Sequence, residues 1–165
     1  MLGRILTAAC LAAAIAGPAN AQDSKFTVQM MTPETALKLA EAALKDCRGK
    51  GFQVGVSVVD RSGNLQVLLR DRYAGVHTPE TSRRKAWTAV SFRTDTVELE
   101  KLVHDDPGFA GLKQVPGALV LGGGAVVQAG GVYLGGVGVS GAPGGAEDHN
   151  CAKAGIAAVE DDLNF

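Results

Sequence analysis

The chain lacks several features that would mark a nucleic-acid-binding or membrane-spanning protein. Sixteen Lys and Arg against seventeen Asp and Glu leave a net charge of −1, which excludes the broad basic surface that binds a phosphate backbone. The apolar run from Ile5 to Ala16 is shorter than the about 20 residues of a membrane-spanning helix. Aromatic residues make up only 5% of 165. A single domain with a core of small aliphatic side chains is therefore expected.

The first 21 residues have the pattern of a cleaved secretory signal. Arg4 precedes the apolar run, and Ala19-Asn20-Ala21 is a small-x-small cleavage sequence. The sequence thus predicts a signal peptide over 1–21, an N-terminal extension over 22–29 and one domain over 30–165. The mature protein is expected to be periplasmic or secreted.

Cysteine is scarce, and only Cys47 and Cys151 remain after cleavage. An oxidising compartment would permit a disulfide between them. Two separate buried thiols on predicted helices are an equally good interpretation. The sequence has no Cys-x-x-Cys-His, which excludes covalent c-type haem attachment.

Capping and periodicity predict most of the elements. Thr32-Pro33 predicts a helix start, and an apolar stripe from Ala36 to Cys47 follows. Alternation across residues 54–69, interrupted by a turn at 60–64, predicts an antiparallel hairpin. Thr78-Pro79 repeats the first helix start, and Asp95-x-x-Glu98 has the spacing of a capping box. Residues 148–162 are interpreted as the last helix.

Glycine is abundant between residues 117 and 145, where twelve of the 22 glycines occur. They separate the apolar runs 118–121, 125–127 and 132–139, and Gly130-Gly131 predicts a tight hairpin. Such glycines permit bulges, close strand crossing or the approach of a flat ligand. The expected fold is α/β of the α+β type, with about five mostly antiparallel strands flanked by helices in one compact domain.

Two motifs are interpreted as coincidental. Gly136-x-Gly138-x-x-Gly141 matches a dinucleotide fingerprint, but that site requires a strand that turns directly into a helix, and here Pro143-Gly144-Gly145 intervenes. His104 and His149 lack the paired spacing of structural zinc ligands and are interpreted as solvated polar residues.

The segment 70–93 is the most informative for function. It contains Arg70, Arg72, Arg83, Arg84 and Lys85, and the start of a helix near Thr78 adds backbone donors and a positive dipole end. The segment favours an anionic ligand. His77, just before this helix, is expected to be neutral and able to bind a metal. The alternative is a solvated helix face whose cations pair with Asp71 and Glu80.

An ordered set of motifs resembles the GlcG/HbpS-like family over residues 30–163. The motifs are Val58-Val59-Asp60-x-x-Gly63-x-Leu65, Arg84-Lys85-Ala86-x-Thr88-Ala89, Pro116-Gly117 with Gly122-Gly123-Gly124, Gly135-x-x-Gly138-Val139-Ser140-Gly141-Ala142-Pro143 and Cys151-Ala152-x-Ala154-Gly155. Similar proteins include exported haem-binding and haem-degrading proteins and a domain fused to corrinoid adenosyltransferases.

The resemblance implies non-covalent haem binding and assembly into homo-oligomers from dimers to octamers. It carries the haem contacts onto Thr88, Lys85 and Arg84. His77 lies outside the shared motif, and its assignment as the metal ligand rests on its chemistry, because imidazole is a stronger axial donor than a threonine hydroxyl.

Three functions are therefore compared. The first is an exported haem-binding protein that sequesters, senses or slowly degrades haem, with a membrane sensor as a further partner. The second is a protein that binds a 2-hydroxy acid or corrinoid, or is an accessory of organic-acid oxidation, without haem. The third is an assembly protein whose domain chiefly makes a shell. No paired acid and base that would support conventional catalysis is found in the sequence.

Overall fold

The computed structural model describes residues 25–163, so the predicted signal peptide lies outside the described residues. Five α-helices, four strands and a 3₁₀ helix follow one another in this part of the chain. In order they are α1 (Pro33–Gly49), β1 (Gly55–Asp60), β2 (Leu65–Arg70), α2 (Thr78–Phe92), α3 (Thr96–Asp105), the 3₁₀ helix (Pro107–Gln114), β3 (Gly124–Ala129), β4 (Val132–Ser140), α4 (Gly145–Ala157) and α5 (Glu160–Leu163). None of the helices between residues 25 and 163 is both long and apolar enough to cross a bilayer.

The strands form one antiparallel sheet in the order β2-β1-β4-β3. Both predicted hairpins are confirmed, and Gly130 and Gly131 have the positive φ values that a tight turn of this kind requires. The described residues contain four strands where about five were expected, because residues 118–121 are not a strand. Their backbone is held locally instead: Leu119 N–H donates to the Thr88 hydroxyl, and Leu121 N–H donates to Leu119 O.

The two faces of the sheet have different chemistry. Val56, Val58, Val137 and Val139 belong to the core that packs against α1 and α4. On the opposite face α2 crosses the sheet, and a methyl group at Gly138 would overlap the carbonyl oxygen of Ser82. Gly138 therefore allows α2 to approach β4 closely. At this position the helix occupies the space that a flat ligand could otherwise have used.

A disulfide joins Cys47 of α1 to Cys151 of α4, with the two Cα atoms 5.5 Å apart. This settles the alternatives left open by the sequence. Both cysteines are completely buried, so the bond lies inside the core between the two helices and the valine face of the sheet.

The helix starts were predicted better than their caps. Thr32 caps α1 as expected, accepting a hydrogen bond from Thr35 N–H at 3.2 Å. The expected cap at Thr78 is wrong, since its hydroxyl donates to Gly75 O from the first residue of α2. Asp95 precedes α3 without capping it, because its carboxylate accepts a hydrogen bond from Val126 N–H.

Candidate functional site

A pocket of about 670 Å³ lies where α2 and α4 begin, and we call it the α2–α4 pocket. One wall comes from α2 and the loop before it, and consists of Gly75, His77, Thr78, Thr81, Arg84 and Lys85. The opposite wall follows β4 and leads into α4, and consists of Ser140, Gly141, Ala142, Pro143, Gly144, Gly145 and Asp148. Leu119 and Leu121 complete the lining. The pocket has the size and the mixture of apolar and polar groups typical of small-molecule sites.

Two helix N-termini meet at this pocket. Thr78 begins α2, and Gly145 begins α4 after an extended Gly144 that has no side chain to cap the helix. The first turn of an α-helix leaves backbone N–H groups without intrahelical partners and carries partial positive charge. The electrostatics of the pocket therefore favour an anionic group.

Arg84 is the cation best placed to bind such a group. Its guanidinium donates to Ala118 O at 2.6 Å and to Gly117 O at 3.3 Å. It has no ion-pair partner among residues 25–163. Its charge is thus available to the pocket, while the two carbonyl groups hold the side chain in place.

Lys85 lines the same pocket but is occupied by a partner. The residue is 1% exposed, and its ammonium lies 2.8 Å from Asp148 Oδ2 and 3.0 Å from Val139 O. Burial raises the pKa of Asp148, and the neighbouring Lys85 opposes that effect. Asp148 thus balances the charge that the sequence analysis left free for a ligand.

Thr88 is buried one turn further along α2 and lies outside the lining of the α2–α4 pocket. Its hydroxyl donates to Arg84 O at 2.7 Å and accepts from Leu119 N–H at 2.8 Å. Thr88 therefore does not line the pocket itself but forms hydrogen bonds with two residues that do, Arg84 and Leu119.

His77 is an exposed residue of the lining that immediately precedes α2. It occupies the N-cap position but makes no capping hydrogen bond with its side chain. Its ring lies over Gly75, where an added Cβ would be 2.6 Å from His77 Cε1. An imidazole at the edge of the pocket provides a nitrogen donor of the kind that binds haem iron.

The remaining cations of segment 70–93 follow the alternative interpretation. Arg83 pairs with Glu80 at 2.7 Å on the outer face of α2, and Arg72 lies 4.0 Å from Asp71. Arg70 donates to Ala74 O. The basic segment thus divides, and of the five cations Arg84 and Lys85 reach the pocket.

The glycine-rich segment 117–145 was expected to admit a flat ligand, but no individual residue of the wall formed by residues 140–148 was named as a site residue. Asp148 was treated only as a helix residue, although its carboxylate also accepts a hydrogen bond from Ala142 N–H at 2.9 Å. The glycines of 141–145 within an otherwise apolar segment were the available signal.

His149 was interpreted as solvated, and this is wrong: its side chain is 18% exposed and lies 3.7 Å from Asp95. Burial lowers the pKa of His149.

Comparisons with known proteins agree on one family. The sequence profile described as "Haem degrading protein HbpS-like" matches residues 31–157. The crystal structure of a double mutant of HbpS from Streptomyces reticuli is similar, with a TM-score of 0.77 and 40% identity over 93% of this chain and 99% of that one. The crystal structure of a PduOC complex with heme has a TM-score of 0.72 and 32% identity, covering 78% and 94% of the two chains.

A longer relative matches only in part. Corrinoid adenosyltransferase PduO of Salmonella typhimurium is 35% identical over 125 residues, which is 74% of this chain and 37% of that protein. The chain therefore spans little more than a third of the length of this relative.

Proposed function

This chain belongs to the HbpS-like family, and from that premise we propose that it is an exported haem-binding protein that sequesters, senses or slowly degrades haem. The observation that carries the proposal is the α2–α4 pocket, where Arg84, His77 and two helix N-termini adjoin apolar side chains. A similar solved structure, that of PduOC, is a complex with heme.

The residues of the pocket suit the three parts of haem. Leu119, Leu121 and Pro143 offer apolar contact to a porphyrin. Arg84 and the backbone donors at the start of α2 and α4 bind carboxylates, as the propionates require. His77 supplies the nitrogen donor for iron and is the proposed metal ligand.

Lys85 and Thr88, which the family resemblance associates with haem, would support the lining of the pocket through their hydrogen bonds. Lys85 is paired with Asp148, and Thr88 is bonded to Arg84 O and Leu119 N–H. In this proposal both residues hold the neighbouring groups in the positions that the ligand needs.

When bound, haem supplies a redox-active iron. The imidazole of His77, which is exposed at the edge of the pocket, would hold that iron. Ligation at such an exposed position suits sequestration, sensing or slow degradation better than electron transfer.

Export is supported by two independent features. Residues 1–21 have the pattern of a secretory signal, and the Cys47–Cys151 disulfide is typical of proteins in oxidising compartments. We therefore place the mature protein in the periplasm or outside the cell. N-terminal sequencing of the secreted product, with cleavage expected near Ala21, tests this placement.

Self-association and contact with a membrane sensor belong to the same proposal. Tyr73 and Val76 are largely exposed on the loop before α2, and in this proposal a partner covers these two side chains. Light scattering after gel filtration is expected to show a dimer or a larger oligomer up to an octamer. A monomer at all concentrations would contradict the proposed self-association.

Titration of the purified mature protein with haemin tests haem binding. A saturable Soret shift is expected at micromolar haemin. His77→Ala is expected to change the position of the Soret band and to weaken the binding of haemin. Thr88→Ala is the companion variant, expected to weaken binding through the lining residues that Thr88 contacts. The absence of a Soret shift in the wild-type protein would refute the proposal.

A second candidate function is the binding of a small carboxylate, such as a 2-hydroxy acid, or of a corrinoid. It is favoured by the same anion-binding groups, Arg84 and the two helix N-termini, which need no porphyrin to bind a carboxylate. Thermal stabilisation by glycolate or a corrinoid, with no Soret shift by haemin, would support this candidate instead.

A further inference from the structure

The ion pair between Lys85 and Asp148 is the most deeply buried pair of opposite charges in the described residues. The two side chains are 2% and 5% exposed, and the charged atoms are 2.8 Å apart. Removing two charges from water costs free energy that the attraction between them often fails to recover. The pair therefore needs an explanation other than stability alone.

The bonds around this pair join α2, β4, α4 and the turn between β4 and α4. Lys85 of α2 also donates to Val139 O near the end of β4, at 3.0 Å. Asp148 of α4 accepts from Ala142 N–H at 2.9 Å, within the turn that connects β4 to α4. The pair thus connects the wall of the α2–α4 pocket formed by α2 with the wall formed by residues 140–145.

The pair is closely packed on the side of Gly123. At Gly123, whose φ is +115°, an added Cβ would lie 2.7 Å from Asp148 Cβ and 2.9 Å from Lys85 Nζ. On this side the pair has little room to move, because a shift toward Gly123 would require its backbone to move as well. Gly123 is therefore part of the same construction.

We propose that Lys85 and Asp148 are positioning residues: their ion pair holds the turn 141–145 against α2 and thereby sets the width of the α2–α4 pocket. This inference rests on the proposed function for the nature of the ligand. Lys85 and Arg84 then have different roles, since Arg84 binds the anionic group and Lys85 fixes the distance between the two walls.

A double variant tests this role. Asp148→Asn alone leaves the Lys85 ammonium buried without a counter-charge, which is strongly destabilising. Combining Lys85→Met with Asp148→Asn removes both charges at nearly constant volume and keeps a side-chain oxygen that accepts from Ala142 N–H. The wall formed by α2 then loses the connection to the turn that this ion pair provides.

The double variant is expected to fold, to bind haemin about tenfold or more weakly, as loss of supporting contacts around a site typically does, and to exchange the Gly141 and Ala142 amides faster. Asp60→Asn is the matched control. Asp60 is also a buried aspartate that accepts backbone N–H bonds, but it lies at the opposite end of β1 from the pocket. Its variant is expected to lose stability and to keep the wild-type affinity.

Haemin affinity within twofold of wild type in the double variant would overturn the inference, and so would an equal loss of affinity in Asp60→Asn. If wild-type protein binds no haemin, the proposed function fails and the amide exchange decides separately. Faster exchange confined to the turn then supports the positioning role, and unchanged exchange refutes it.

Discussion

Cys47 and Cys151 are 104 residues apart in sequence and joined by a disulfide between α1 and α4. Because the bond closes so long a loop, its removal is expected to increase the conformational entropy of the unfolded chain considerably. Replacing both residues, Cys47→Ala with Cys151→Ala, should lower the free energy of unfolding by about 2–5 kcal/mol.

Denaturant unfolding of the oxidised wild type and of the double variant measures this loss. A reductant should destabilise the wild type and leave the variant unaffected. Equal stability of the two proteins under oxidising conditions would show that the bond contributes nothing.

Gly138 provides a test of the close approach between α2 and β4. In Gly138→Ala the new methyl group would overlap the Ser82 carbonyl oxygen, so helix or strand must shift. A loss of about 1–3 kcal/mol in the free energy of unfolding is expected from overpacking. Gly49→Ala at the end of α1, where an added Cβ has no neighbour within 4 Å, is the matched control and should be tolerated.

Arg84 and Arg83 are adjacent in sequence but lie on different surfaces. Arg84→Gln removes the unpaired cation of the α2–α4 pocket, and the affinity for haemin is expected to fall about tenfold, equivalent to about 1.4 kcal/mol. Arg83→Gln removes a cation that pairs with Glu80 outside the pocket and should bind normally. Equal effects of the two substitutions in a Soret titration would contradict the assignment of Arg84.

The hydrogen bonds between Arg48 and Asp71 predict how the free energy of unfolding depends on pH. Arg48 donates two hydrogen bonds to the Asp71 carboxylate, both at 2.9 Å, and lowers the pKa of Asp71 against the opposing effect of burial. A lowered pKa in the folded state means that the stabilisation is present above the unfolded value of about 3.9. It is lost as the pH falls through the folded value.

Urea unfolding of the wild type and of Asp71→Asn measures this contribution. The two proteins are compared over a rough range from pH 3 to pH 7, which spans the pKa of aspartate in the unfolded chain. The wild type should be more stable at neutral pH, and the difference should shrink below about pH 4. Asp148 has a raised pKa and acts in the opposite direction, but it is common to both proteins and cancels in the difference. A difference that is constant with pH would contradict the assignment.

Local patterns predicted the elements because their causes are local. The stripe from Ala36 to Cys47 reports directly on burial, and the structure confirms it. The alternation across residues 54–69 predicted the antiparallel pairing of β1 and β2 correctly, but β1 is buried at every position because α2 covers its second face. Residues 118–121 were misinterpreted as a strand because an apolar run says nothing of where its backbone bonds go. The partner of Leu119 N–H is Thr88, 31 residues away.

The candidate site depended more on contacts that sequence does not reveal. Segment 70–93 contains one wall of the pocket. Arg84, Lys85 and Thr88 were singled out there from a basic cluster and a family resemblance, and His77 was singled out from the chemistry of its imidazole. Lys85 was treated as a free cation since its counter-charge, Asp148, lies 63 residues away. The glycines of the opposite wall indicated that a ligand could approach, but the sequence does not show that they lie across the pocket from α2.

The position of bound haemin is the decisive measurement for the α2–α4 pocket. In an amide NMR titration with haemin, whose paramagnetic iron broadens nearby signals, we expect early loss of the Gly75, Thr81 and Gly144 amide signals around this pocket. Signals of the Gly130-Gly131 hairpin should remain. Saturable binding that broadens the hairpin and spares the pocket, or no broadening at all, would show that haem does not bind in the α2–α4 pocket.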